Sequence, residues 1–155
     1  MNIQERIEAL ETEFAEKIKQ LKAEVQREDE FPQDGEDYWY MNALGIIFND
    51  KWSGSISEEE MLEIGNVFKT KQQADFAAEK LKVEAELRKY SRPFNYGWGN
   101  YNIILTDNES VNTAYWSGVQ SQGSIHFESK EKAQQAINEV GQERIKKYLF
   151  GVEAE

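Results

Sequence analysis

Seven apolar residues near the N-terminus obey one spacing rule. Ile3, Ile7, Leu10, Phe14, Ile18, Leu21 and Val25 are separated by 4, 3, 4, 4, 3 and 4 positions. That is two eleven-residue repeats with a period of about 3.67 residues, so the stripe runs nearly straight or slightly right-handed along a helix. Glu13 and Lys17 add an i,i+4 pair in the favourable orientation. Acids from Glu28 to Glu30 oppose the dipole at a helix C-terminus, so the helix is predicted to stop near Arg27. A helix like this has one face to bury. It packs on its own domain or pairs with another copy, and a narrow stripe with a single aromatic favours the second copy. The seven residues are therefore the expected contacts of a homo-oligomer, a dimer.

The charge changes abruptly after this helix. Residues 28–60 hold ten acids and only Lys51, whereas residues 1–27 and 61–155 are each close to neutral. Most of the net charge of −11 thus sits in one third of the chain. Within it, the run EDEFPQDGED carries Glu28, Asp29, Glu30, Asp34, Glu36 and Asp37. This third repels a phosphate backbone, so direct nucleic-acid binding is not expected of it. A solvated linker is one reading. The other is a surface for a basic protein, such as the groove of a nucleic-acid enzyme. A calcium loop is excluded by the spacing and by Phe31-Pro32 in the middle of the run.

The rest of the chain reads as a folded α+β domain, with a division at 1–30 and 31–155. A chain of 155 residues can bury roughly 70% of its unfolded surface, and 12% aromatics supply a core despite 30% charge. Tyr38–Asn42 and Ile46–Trp52 read as a hairpin around Ala43-Leu44-Gly45. Ser57 with Glu60 forms a capping-box pattern for a short helix ending at Gly65. Val67-Phe68 is a brief strand, and a helix follows from Lys71 to Tyr90, before Pro93. It has a small face (Ala74, Ala77, Ala78, Leu81, Ala85) and a bulky one (Phe76, Val83, Leu87, Tyr90), so cover is expected on both. Strands follow at Tyr101–Leu105, Val111–Trp116 and Ser124–Phe127. Ser129 opens a helix that Gly141 interrupts before a last short one.

The halves 36–90 and 94–150 look like copies. Trp-Ser-Gly occurs at 52–54 and 116–118, and GNVFKTKQQA (65–74) parallels GSIHFESKEKA (123–133). The expectation is two strand-strand-strand-helix repeats in one antiparallel sheet of about six strands, with helices on one face.

Catalytic chemistry is hard to find. The only histidine is His126, between Ile125 and Phe127 in a predicted strand, and no partner nucleophile or carboxylate is placed beside it. There is no cysteine, no HxxxH or HxH pair, no P-loop and no GxSxG. No enzyme activity, metal or cofactor is expected. No apolar run approaches the about 20 residues of a membrane span, and MNIQERIEAL lacks the apolar core of a signal peptide. A cytoplasmic location is the expectation, with no membrane contact. The aromatics read mainly as core and cross-strand packing. The alternative is a base-stacking pocket around the loop FNYGWGNYN, formed by Arg88, Arg92, Tyr96, Trp98 and Tyr101, that holds a nucleotide.

Three segments, GEDYWYM (35–41), GNVFKTKQQADFAAEKLKVEAELRKY (65–90) and ERIKKYLFGVE (143–153), resemble a widespread set of small acidic proteins encoded by phages and prophages. The similarity spans most of residues 33–153 and brings no functional residues with it. It implies a phage accessory protein. By analogy with other small acidic phage proteins, that means counter-defence: an anti-CRISPR-like inhibitor acting on a host nucleic-acid-binding enzyme, or a sponge for an immune nucleotide signal. A purely structural oligomerisation module is the third reading.

Overall fold

The computed structural model describes residues 2–153, without the side chains of residues 26–29. The architecture is α+β, in the order α1 (Ile3–Asp29), β1 (Asp37–Met41), β2 (Ile47–Lys51), α2 (Ile56–Glu63), α3 (Lys71–Arg88), β3 (Asn100–Leu105), β4 (Val111–Trp116), α4 (Lys130–Val140) and α5 (Gln142–Phe150). The chain forms two compact units. One comprises Met1–Tyr40 and Phe48–Lys71, the other Met41–Ile47 and Gln72–Glu155.

In the first unit, α1 runs two residues past the expected stop, and every residue of its apolar stripe is exposed, from Ile7 at 45% to Ile3 at 77%. The helix begins with a reciprocal pair, in which the Glu5 amide donates to Asn2 Oδ1 and the Asn2 amide to Glu5 Oε2. Beyond a cis Phe31–Pro32 bond, β1 and β2 form a hairpin. The tip of this hairpin, Met41–Ile47, is counted with the second unit; there Asn42 Oδ1 closes the turn by accepting the amides of Leu44 and Ile46, and Gly45 adopts the left-handed φ of 77° that the turn requires. Tyr38 and Tyr40 share one face of β1, with ring centroids 5.7 Å apart, and the buried Trp52 meets Tyr38 edge-on at 5.5 Å. This is the alternation expected of Tyr38-Trp39-Tyr40.

The second unit carries the main core. Val83 and Leu87 of α3, Val111 of β4, Phe127, and Ala133, Ala136, Ile137 and Val140 of α4 pack with Ile145 of α5. β3 and β4 pair antiparallel from Asn100↔Trp116 to Leu105↔Val111, around the tight turn Thr106–Ser110. Ser129 caps α4 by accepting the Lys132 amide. Gly141, at φ 93°, separates α4 from α5. Arg144 of α5 grips Glu86 of α3 through two hydrogen bonds of 2.9 and 3.0 Å. Both faces of α3 are used, in succession: Ala74 and Ala78 are buried near its start, Val83 and Leu87 near its end.

Two expectations are corrected. The strands do not join one sheet of six; they form two sheets of two, β1-β2 and β3-β4. The expected third strand of each half shrinks to a single bridge, Trp39↔Phe68 and Tyr101↔Phe127. Each such segment lies between a left-handed glycine, Gly65 or Gly123, and the start of the next helix. β2 is exposed and ends in Asn49, Asp50 and Lys51, a poor template for another strand. The second correction is the cap of α2. It is Ser55 with Glu58, not Ser57 with Glu60, and both halves of the capping box form.

Candidate functional site

The acidic segment is organised around one buried carboxylate. Glu58 Oε2 accepts hydrogen bonds from Ser53 Oγ (2.6 Å), the Ser55 amide (2.8 Å) and Ser55 Oγ (2.8 Å), and Oε1 from Tyr38 OH (3.3 Å). The Ser53 hydroxyl is the main cause, with the Ser55 amide next, of a Glu58 carboxyl held down to about 2. The same cluster pushes the Tyr38 hydroxyl up to about 12, through burial first and the Glu58 charge second. Glu58 is therefore a structural anion.

The other acids of this region differ. Glu36 is half-buried and accepts the Gln33 amide at 3.0 Å in a local, exposed hydrogen bond. Asp37 pairs with Lys51 at 3.0 Å on the surface. Glu30, Asp34, Asp50, Glu59, Glu60 and Glu63 are exposed and meet no cation among the described residues. The side chains of Glu28 and Asp29, named with this group from the sequence, lie outside the described residues.

The aromatic loop is built differently from a phosphate pocket. Asn100 is fully buried. Its Nδ2 donates to the carbonyls of Asn95, Trp98 and Trp116, and its Oδ1 accepts from the Asn95 amide and Arg92 Nη1. Arg92 also donates to the Gly99 carbonyl at 2.7 Å and the Pro93 carbonyl at 3.0 Å, so its guanidinium holds the loop closed. Arg88 pairs with Glu84 on α3. Tyr96 and Trp98 stand outward at 67% and 70% exposure, while Tyr101 packs edge-on against Tyr115. The five residues are near in sequence, yet they do not converge on one cavity among those described.

His126 is buried beside Phe94, whose ring meets it edge-on at 5.0 Å. Its Nε2 has no hydrogen-bond partner among the described residues. Burial, with the nearby Arg92 charge, lowers its pKa below the usual 6.5. No group of three or more metal-ligating side chains occurs among the described residues, and no helix there is long and apolar enough to cross a membrane.

A cavity of about 260 Å³ lies in the second unit, lined by Glu84 and Leu87 of α3, Asn102 and Ile103 of β3, the 122–125 turn, Phe127, Leu149 and Phe150. The sequence reading missed it. Its one available signal was Asn102, a polar residue two places beyond Asn100 on the same face of a strand; both are buried. Asn102 Oδ1 accepts the Trp116 indole N–H at 2.8 Å. No family model, curated protein or solved structure matches the chain.

Proposed function

We propose that this is a non-enzymatic binding protein whose acidic first unit occupies the basic surface of a protein partner. The carrying observation is the group of exposed carboxylates at Glu30, Asp34, Asp50, Glu59, Glu60 and Glu63, which has no cations to neutralise it among the described residues. Like charge excludes nucleic acid as the direct ligand of this group, while a groove lined with Lys and Arg is complementary to it. The resemblance to phage proteins makes the partner a host nucleic-acid-binding defence enzyme, and the role its inhibition. Replacing Glu30, Asp34, Asp50 and Glu60 together by Lys removes partner capture from host lysate and relieves inhibition of the captured nuclease. Full inhibition by that variant rejects the proposal.

A second role rests on a separate observation, the exposure of all seven stripe residues on α1. Seven exposed large side chains on one face favour pairing with the same face of a second copy, and the eleven-residue period keeps that face in register along the helix. This makes the chain a homodimer that presents two acidic units. Light scattering on a chain lacking residues 1–29 checks it, since retention of the full-length chain's oligomeric state rejects the role. We also read the halves 36–90 and 94–150 as an internal duplication. The matched bridges Trp39↔Phe68 and Tyr101↔Phe127, each from a first strand to the segment before a helix, support that reading.

A further inference from the structure

β3 is half-open along one edge. Tyr101 exchanges both backbone hydrogen bonds with Phe127, at 3.0 and 2.7 Å, on the side away from β4. Backbone groups alternate in direction along an antiparallel strand, so Ile103 and Leu105 turn theirs to that same side. The Thr106 amide, which donates to the Ser110 carbonyl at 3.0 Å, agrees with this phase. Beyond Phe127 the neighbouring segment makes no further bridge to β3. The N–H and C=O groups of Ile103 and Leu105 therefore face no backbone partner among the described residues. The 260 Å³ cavity opens at this place, between Asn102-Ile103 and Gln122–Ile125, over Leu87 and Phe127.

We propose that this edge takes an extended peptide from a protein partner as an added strand. Three features select such an occupant. Donor and acceptor groups two residues apart, about 7 Å along the strand, match the repeat of an extended backbone. The cavity is smaller than the about 300–1,000 Å³ of a drug-sized site, which suits one or two side chains of a longer ligand. The apolar part of its wall, Leu87, Ile103, Ile125, Phe127 and Leu149, takes an apolar side chain. The only ionised side chain in its wall is Glu84, which is half-buried; Arg88 Nη2 donates to its Oε2, which leaves Oε1 to accept from a Lys or Arg of the peptide beside the seated residue. Asn102 spends its Oδ1 on the Trp116 indole, leaving the amide Nδ2 as a donor at the wall for a peptide carbonyl. The outer edge of β4 offers similar backbone groups at Thr113 and Tyr115, but no β4 residue lines the cavity.

The test uses the full chain labelled with nitrogen-15 and the peptide acetyl-Lys-Val-Lys-Ile-Lys-Val-Lys-amide. Binding should slow hydrogen exchange at the Ile103 and Leu105 amides and leave Thr113 and Tyr115 unchanged. The same peptide N-methylated at alternate residues should bind about tenfold more weakly, because it cannot complete the ladder. Glu84→Lys should turn the preference toward the acidic counterpart, acetyl-Glu-Val-Glu-Ile-Glu-Val-Glu-amide. The Lys variant of the first unit should leave the protection at Ile103 intact, which keeps this site separate from the acidic surface proposed above. Protection at Thr113 and Tyr115 instead, equal binding of the N-methylated peptide, or no binding by either peptide overturns the proposal.

Discussion

Glu58 shows how one side chain can fix a local structure. Its carboxylate joins the Ser53-Gly54-Ser55 corner, the first turn of α2 and the Tyr38 hydroxyl of β1. A carboxyl whose folded pKa lies below its unfolded value stabilises the fold above the unfolded value and loses that contribution as it protonates. Stability should thus fall as pH drops from 4.5 toward about 2, and Glu58→Gln should flatten that part of the curve. Thermal melts at stepped pH measure both. Ser55→Ala removes the cap itself and should cost about 1 kcal/mol in denaturant unfolding. His126 behaves with the opposite charge. Burial favours its neutral form, so its contribution is complete above the ordinary 6.5 and is lost as pH falls below it. His126→Leu should abolish the loss of stability seen on acidification through that range. Asn100 has no titration but more partners. Asn100→Ala removes one of the three acceptors of the Arg92 guanidinium and the amide donor of three carbonyls, and should lower unfolding free energy by about 3 kcal/mol.

The elements differ in what holds them. α1 is a helix by spacing and propensity, and none of its apolar side chains is buried within the chain. An isolated helix of this kind is marginal in water unless a tertiary or quaternary surface covers one face. Leu10→Glu with Leu21→Glu should therefore reduce both the circular dichroism helix signal and the particle mass, while a monomer with undiminished helicity contradicts the pairing role. α3 and α5 are tied by Glu86 and Arg144, which hold the Glu86 carboxyl below and the Arg144 guanidinium above their ordinary values through their mutual hydrogen bonds. Both side chains are more than a third exposed, so solvent screens the pair. A double-mutant cycle should return a coupling of about 0.5–1 kcal/mol, toward the upper end of surface pairs because the contact is bidentate.

At the scale of the molecule, the second unit holds its most deeply buried side chains together. Leu87 of α3 meets Phe127, Ile137 and Ile145, which come from three consecutive segments about forty or more residues further along the chain. Their amides, where hydrogen-bonded, should be the slowest to exchange in the native state. Those of Ile103 and Leu105, only two to four residues from the Tyr101 bridge, should exchange quickly. Equal protection along β3 contradicts the open edge. Periodicity made α1, α4 and both hairpins legible, and Ser129 and Gly141 mark the limits of α4 as read from the sequence. The α2 cap was misplaced because S-x-x-E occurs twice, at Ser55 and at Ser57, and local pattern cannot choose between them. The choice is made by Tyr38 and Ser53, whose hydroxyls reach Glu58 and no other acid of the group. The candidate loop at 94–102 was legible as a loop, but the inward use of Arg92 was not, since it depends on Asn100 being buried and hydrogen-bonded across to the Trp116 carbonyl of β4.

The sequence by itself determined the α+β class, the long stripe on α1, the limits of α4, and the concentration of acid between residues 28 and 60. These follow from interactions between residues a few positions apart, and from charges that can simply be counted. Only the tertiary structure decided that the strands close into two separate pairs, that Glu58 is buried while its neighbours are not, and that β3 keeps an open edge beside a cavity. Each of these depends on which distant segments meet. Pairing and burial are settled by long-range contacts that satisfy backbone and apolar groups together, and no spacing along the chain encodes them.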